Sequence, residues 1–318
     1  MRSEFEFIQN IKSKFSLTKI GDDCAVMPKD DETDLLVTTD MLVEDIDFRL
    51  DWTTPEFLGH KALAVSLSDI AAIGGKPVWS MLSIAVPDDL WNSDFVDRFY
   101  KGWFTLARKF NIELVGGDVS SIDSKFVIDS IVGGEVTKGK AILRSTAKPG
   151  DAIFVTGTLG GATGGLKLLE SGSRYDQFTN QIGADLLLKQ LRPQPQITIA
   201  NSLHKLNIVT SMIDISDGLS SDLKHLCDSS NVGAKICAEN LPVHPKLNLH
   251  FPADECLDMA LNGGEDFELL FTIREENISL VESLDVTLIG EITTNIGVIE
   301  LITDNQIKSI SPKGFRHF

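Results

Sequence analysis

The chain has 318 residues, with 29 Lys and Arg against 46 Asp and Glu, a formal charge of −17. At roughly 150 residues per domain this is about two domains or one large one. A hydrophobic content of 42% with 24% charged residues supplies a core and excludes collagen-like, low-complexity and disorder-dominated classes. So acidic a chain is poorly suited to nucleic acid or an anionic membrane surface, whereas an anionic substrate stays open if metal ions stand between the two.

Taken in order, MRSEFEFIQNIK mixes acids and bases without the apolar stretch of a signal peptide. No apolar run reaches the roughly 18 residues of a membrane span, so the expected location is the cytoplasm. Leu35–Thr39 predicts a strand. Thr54 and Pro55 open a helix that Gly74 and Gly75 stop, with an inward face at Leu58, Ala62, Val65 and Ala72. Val78–Val86 predicts a strand, Ser93–Phe110 a helix, and Ile112–Val115 a strand ending in Gly116-Gly117-Asp118. Phe126–Val136 is a further strand. Lys148-Pro149-Gly150-Asp151 reads as a connector, placing a domain boundary near residue 147. Beyond it come strands at Ala152–Thr156, Val209–Ile213, Phe267–Thr272 and Val286–Ile289. Helices are expected from near Gly164, over Gln194–Leu206 and over Gly218–Ser229. Interleaved helices and strands in both halves argue for packed α/β or α+β layers. Cys24, Cys227, Cys237 and Cys256 form no CxxC pair and read as reduced thiols.

The chemistry is indicated by where the acids sit. Asp22-Asp23, Asp40, Asp69, Asp118, Asp214 with Asp217, and Glu265-Asp266 lie beside glycine or at the ends of apolar runs. A single such residue is ordinarily a turn or a cap; six such sites exceed what turns explain, although Asp22 and Asp266 also fit as caps. Carboxylates brought together at strand ends repel one another unless a cation neutralises them. All-oxygen ligands with hydroxyls at Thr38, Thr39 and Ser216 suit Mg²⁺ rather than zinc. The residues alone therefore point to a metal-dependent phosphate site that links the two halves.

Other phosphate motifs fail. Gly74-Gly75-Lys76-Pro77 lacks the remainder of a P-loop. The run TGTLGGATGGL at 156–166 opens a helix whose amides suit an anion, but without GxGxxG spacing it reads as a tight turn. The histidines, His60, His204, His225, His244, His250 and His317, show no metal spacing. Arg144 fits either a nucleotide phosphate or an inter-domain salt bridge. Lys61 reads as structural, and Tyr100 fits either base stacking or packing.

In order along almost the whole chain, IGDDCAV, TTDMLVE, HKALAVSLSDIAAIGGKP, LVGGD, RSTAKPGD, VTGTLG, IDISDGLSSDL, NGGEDFELLFT and KGFRHF resemble the thiamine-monophosphate kinase family. IDISDGL and GGEDFELL also occur in aminoimidazole ribonucleotide synthetase, selenophosphate synthetase and the hydrogenase-maturation carbamoyl dehydratase. The kinase resemblance rests on TTDMLVE, SLSDIAAIGGKP and the ending.

The resemblance implies an α/β (α+β) two-domain fold of the aminoimidazole ribonucleotide synthetase type. Residues 1–147 would bind ATP and Mg²⁺ and dimerise, and 148–318 would form the C-terminal α/β domain. ATP and several Mg²⁺ ions would occupy the cleft, and a homodimer would convert thiamine monophosphate to thiamine diphosphate. The implied metal ligands are Asp23, Thr38, Thr39, Asp40, Asp69, Asp118, Asp214 and Asp217. Gly117, Asp118, Arg144, Ser216 and Tyr100 are the implied nucleotide contacts, and Asp47, Glu265 and Phe315 the implied substrate contacts.

One position departs from the family. Where it commonly has Gly-x-His-Phe, this chain has Asp45-Ile46-Asp47-Phe48. A carboxylate at 47 would pair with the cationic thiazolium or with a metal on the substrate phosphate. The acceptor is already an ionised phosphate, so no covalent nucleophile or strong base is required and direct in-line transfer is expected. The alternatives are another ATP-dependent superfamily enzyme, such as the ribonucleotide synthetase, or a relative that binds ATP and metal without turnover.

Overall fold

The computed structural model describes residues 4–175, 183–303 and 306–315; His317 lies outside them. Helix α1 (Glu4–Lys14) precedes β1 (Ala25–Pro28), β2 (Thr33–Val43), α2 (Pro55–Ala72), β3 (Lys76–Val86), α3 (Asp88–Trp91), α4 (Phe95–Phe110), β4 (Glu113–Ser121) and β5 (Val127–Thr137). These strands form one sheet in the order β1-β2-β5-β3-β4. Neighbours are antiparallel except β3 and β4. That parallel pair needs a crossover, and α3 and α4 provide it.

The second sheet is built from β6 (Asp151–Thr156), α5 (Gly161–Glu170), α6 (Ala184–Leu191), α7 (Ile197–Leu206), β7 (Val209–Asp214), α8 (Leu219–Ser230), β8 (Gly233–Cys237), α9 (Ala253–Asn262), β9 (Leu269–Arg274), β10 (Val286–Thr293), β11 (Ile299–Thr303) and β12 (Gln306–Ile310). Its order is β12-β11-β8-β10-β6-β9-β7, with β7 at the edge. The helix expected near Gly164 begins at Gly161.

Helix α2 starts as its sequence dictates. Thr54 caps it, its hydroxyl accepting from the Phe57 amide at 3.2 Å, and Pro55 occupies the first turn. The chain leaves the helix through Gly74 at φ +71°, a conformation glycine adopts without steric cost. The expected inward face at Leu58, Ala62, Val65 and Ala72 is buried, and burial extends beyond it: from Leu58 to Ala72 only Asp69 is not buried. The reason is position. Strands β2 and β5 and helix α4 cover one side of α2, and α7 and β7 of the second half cover the other. A Cβ on Gly102 would lie 1.8 Å from the Glu56 carbonyl oxygen, so the α2 and α4 backbones touch where they cross. One apolar cluster joins Leu63 and Phe99 to Phe154, Ile197 and Phe271, making the core continuous across both sheets.

The strand expected over Ile112–Val115, ending in Gly116-Gly117-Asp118, instead continues to Ser121. Its parallel pairing with β3 continues across a bulge, opposing Leu82 to Gly117 and Ser83 to Asp118. Gly117 is required there: a Cβ would sit 2.0 Å from the Leu82 carbonyl oxygen. Strand β4 is a sheet edge and almost wholly exposed.

Candidate functional site

Three carboxylates from separate elements converge at the junction of the sheets. Oxygen atoms of Asp23, Asp69 near the end of α2, and Asp214 at the end of β7 lie within 4.8 Å of one another. Each is oriented by a neighbour. The Ser68 hydroxyl donates to Asp214 Oδ2 at 2.6 Å, and Thr38 donates to Asp69 Oδ2. Arg144 grips Asp23, with Nη2 at 2.5 Å from Oδ1 and Nε at 3.2 Å from Oδ2. Asp22 accepts the Arg144 backbone amide at 2.9 Å, in a loop and not at a helix start.

Burial raises the pKa of Asp214, Asp69 and the neighbouring Asp40. It pushes Asp214 up to about 8, with Asp23 adding repulsion. Asp69 is held well above the usual carboxylate range, first by burial and then by Asp40, Asp214 and Asp23. Asp40 is pushed up to about 6 by burial, reinforced by Asp129. Its Oδ2 is buried and has no hydrogen-bond partner. A buried acceptor with no donor costs about 1–3 kcal/mol. Convergent oxygens, raised proton affinities and an orphan carboxylate oxygen fit a hard divalent cation such as Mg²⁺.

Strand alternation separates Thr38 from Thr39. Thr38 is buried toward α2 with Asp69, whereas Thr39 is exposed and donates to Asp129 Oδ1 at 2.7 Å. A second convergent group contains Asp217, Asp222 and His225. The histidine spacing in the sequence gave no sign of it, because helix α8 brings His225 one turn beyond Asp222. The Asp222 carboxylate also accepts the Gly218 amide at 3.0 Å, fixing the start of α8.

Beside these acids a cleft of about 590 Å³ opens between the two halves. Asp40, Asp47, Ser216, Asp217, Glu265 and Phe315 line it, as do Lys61, Gln190 and Trp52. The Lys61 ammonium lies 2.7 Å from Glu265 Oε1, joining α2 to the second half of the chain. Helical spacing puts Lys61, Val65 and Asp69 on one face of α2, which runs from the cleft to the carboxylate cluster. The Asp47 carboxylate accepts the Val43 amide at 2.7 Å, so it also fixes its own turn.

The two halves match family models for AIR synthase related proteins, the N-terminal domain over residues 21–137 and the C-terminal domain over 148–299. The chain is 39% identical over 332 residues to the thiamine-monophosphate kinase of Buchnera aphidicola subsp. Schizaphis graminum, covering 99% of each. It is 37% identical over 308 residues to that of Escherichia coli K12, covering 94% of this chain and 91% of the relative. The chain belongs to the thiamine-monophosphate kinase family. A solved structure of AaThiL complexed with AMPPCP and TMP superposes with a TM-score of 0.87 at 34% identity, covering 99% of this chain and 97% of that one. The hydrogenase maturation protein HypE in complex with ATP shares the fold at 17% identity and a TM-score of 0.71.

Several residues implied by the kinase family resemblance lie apart from the carboxylate cluster. Asp118 and Gly117 are exposed on β4, and among the described residues neither lines the cleft nor joins a convergent acidic group. The Tyr100 ring packs edge-on against Phe99 at 5.6 Å and beside Phe104 at 6.3 Å. Arg144, by contrast, adjoins the cluster through its pair with Asp23. The glycine turn before α5 is closed to external anions, because Asp266 already accepts the Gly160 amide at 2.6 Å and the Ala162 amide at 3.0 Å. The cysteines are free thiols. Among the described residues no helix is long and apolar enough to cross a membrane.

Proposed function

We propose that the cleft transfers the γ-phosphoryl group of ATP directly to the phosphate of thiamine monophosphate, giving ADP and thiamine diphosphate, with Mg²⁺ held by acids of both domains. The observation that carries this is the charge of the cleft. Among the described lining residues, Asp40, Asp45, Asp47, Glu170, Asp217 and Glu265 face the cations Arg49 and Lys61. Arg49 already pairs with Asp45 and Asp51, and Lys61 with Glu265. Two phosphorylated substrates cannot share a low-dielectric space with that many carboxylates unless counter-ions enter with them.

Asp23, Asp40, Asp69 and Asp214 would hold Mg²⁺, with Asp217 at the edge of the cleft as a further ligand. The bound ions would neutralise phosphate charge. The chain's own residues do the rest. Thr38 and Ser68 fix the angles of Asp69 and Asp214, and Arg144 holds Asp23 in place. Glu265 and Asp47 offer carboxylates to the cationic ring of the substrate, and Phe315 and Trp52 offer apolar surface. The acceptor oxygen is ionised, so transfer is positioning plus charge neutralisation.

The domains divide at residue 147 in this reading, and the exposed β4 edge, with Val115 and Val119, receives a second subunit of a cytoplasmic homodimer. The test is stereochemical. ATP made chiral at the γ-phosphorus should give inverted product, whereas retention would require a covalent phospho-enzyme. Asp40→Asn, Asp69→Asn and Asp214→Asn should each lower kcat and raise the Mg²⁺ needed for half-maximal rate. Wild-type rates at ordinary Mg²⁺ would remove that residue from the site.

A further inference from the structure

Glu265 is held from both sides of the cleft. Its backbone lies at φ +65°, a region that non-glycine residues seldom occupy, and its amide donates to the Ser216 carbonyl at 2.8 Å. Both carboxylate oxygens are engaged. Lys61 Nζ, from α2, is 2.7 Å from Oε1, and Gln190, from α6, donates to Oε2. The Lys61 side chain is only 5% exposed, and its ammonium also reaches the Asp47 carbonyl oxygen at 3.4 Å. One lysine thus touches both substrate-facing acidic segments, one in each half of the chain.

We propose that Lys61, with Gln190, is a positioning residue that fixes the Glu265 carboxylate for the cationic portion of the substrate. This rests on Glu265 being a substrate contact. A glutamate without these partners would be a mobile anion close to Asp40 and Asp217 in the same cleft, and any divalent cation bound there would draw it in. The ion pair keeps Glu265 out of the metal-binding half and leaves it presented to the organic half. A flexible side chain held at a fixed angle also loses no further freedom when substrate arrives.

The experiment is a double-mutant cycle on the purified full chain, read as separate KM values for thiamine monophosphate and ATP, with melting temperatures alongside. Lys61→Met should raise the KM for thiamine monophosphate about tenfold while the KM for ATP stays within about twofold. Glu265→Gln should do the same. The double variant should lie within about twofold of Glu265→Gln alone, because Lys61 acts through Glu265. Lys61→Arg, which keeps the charge, should recover part of the loss.

A double variant whose loss is the product of the two single losses would overturn the proposal. So would Lys61→Met with an unchanged substrate KM while Glu265→Gln raises it. If Glu265→Gln itself leaves that KM unchanged, the substrate role of Glu265 fails and the proposal fails with it. Should Lys61→Met not fold, Gln190→Leu cuts the other bond to the same carboxylate and is read by the same criteria.

Discussion

Adding Mg²⁺ to the metal-free protein should release protons. Asp214 titrates at about 8 and Asp40 at about 6, and Asp69 lies well above the ordinary range. At pH 7 a carboxyl with the first value is roughly nine-tenths protonated, and one with the second roughly one-tenth. Asp214 and Asp40 together therefore carry about one proton that metal binding must displace, and Asp69, shifted in the same direction, adds to that release. Each displaced proton makes apparent Mg²⁺ affinity rise by about 1.4 kcal/mol, or tenfold, per pH unit until its site is ionised. Calorimetry in two buffers of different ionisation enthalpy measures the number directly. The apparent heat should differ between buffers at pH 7, and the difference should shrink by pH 9. Asp214→Asn should remove about one proton from the count. A heat at pH 7 that is the same in both buffers would refute the raised proton affinity of this cluster, and with it the reason for placing the metal there.

The same acids set how stability depends on pH. Their folded pKa values lie above the unfolded ones, so the metal-free fold is favoured below the ordinary carboxylate range. It loses that contribution as pH rises through about 6 for Asp40 and about 8 for Asp214. The rise in melting temperature on adding Mg²⁺ should therefore be larger at pH 8 than at pH 6; an equal or smaller rise would contradict it. Asp266→Ala leaves the Gly160 and Ala162 amides without their acceptor. It should cost about 2–4 kcal/mol in denaturant unfolding, and a loss below about 1 kcal/mol would show that the cap is dispensable. Asp47→Asn keeps an acceptor for the Val43 amide but removes the charge. It should raise the KM for thiamine monophosphate roughly fivefold, about 1 kcal/mol, without changing that for ATP. An unchanged substrate KM would leave Asp47 with its turn alone.

Much of this was written in local sequence. Thr54-Pro55 and Gly74-Gly75 bracket α2 because caps and breakers act within one turn. The carboxylates stood out because acids at the ends of apolar runs are chemically out of place. What local sequence does not carry is which of them meet. Ser68 and Asp214 are 146 residues apart and touch only because α2 packs against β7. Lys61 looked structural for the same reason: its partner Glu265 comes from the other half of the chain. The burial of α2 on all sides was hidden because an inward face shows in the periodicity, whereas a second covering layer does not. Asp118 lies within β4 and not at its end because the parallel partner β3 carries the pairing through Gly116-Gly117, which local sequence reads as a stop. Helix α6 and strands β8, β11 and β12 are short, and the polar QIKSI of β12 is a strand only through its pairing with β11.

The most direct measurement is product formation by purified protein given ATP, Mg²⁺ and either thiamine monophosphate or free thiamine, with thiamine diphosphate and ADP separated by chromatography. Thiamine diphosphate should appear from the monophosphate alone, in equal amount to ADP, vanish with EDTA and return with excess Mg²⁺. Thiamine diphosphate formed at full rate in EDTA, or none formed despite bound ATP, would contradict a metal-dependent phosphoryl transfer in this cleft.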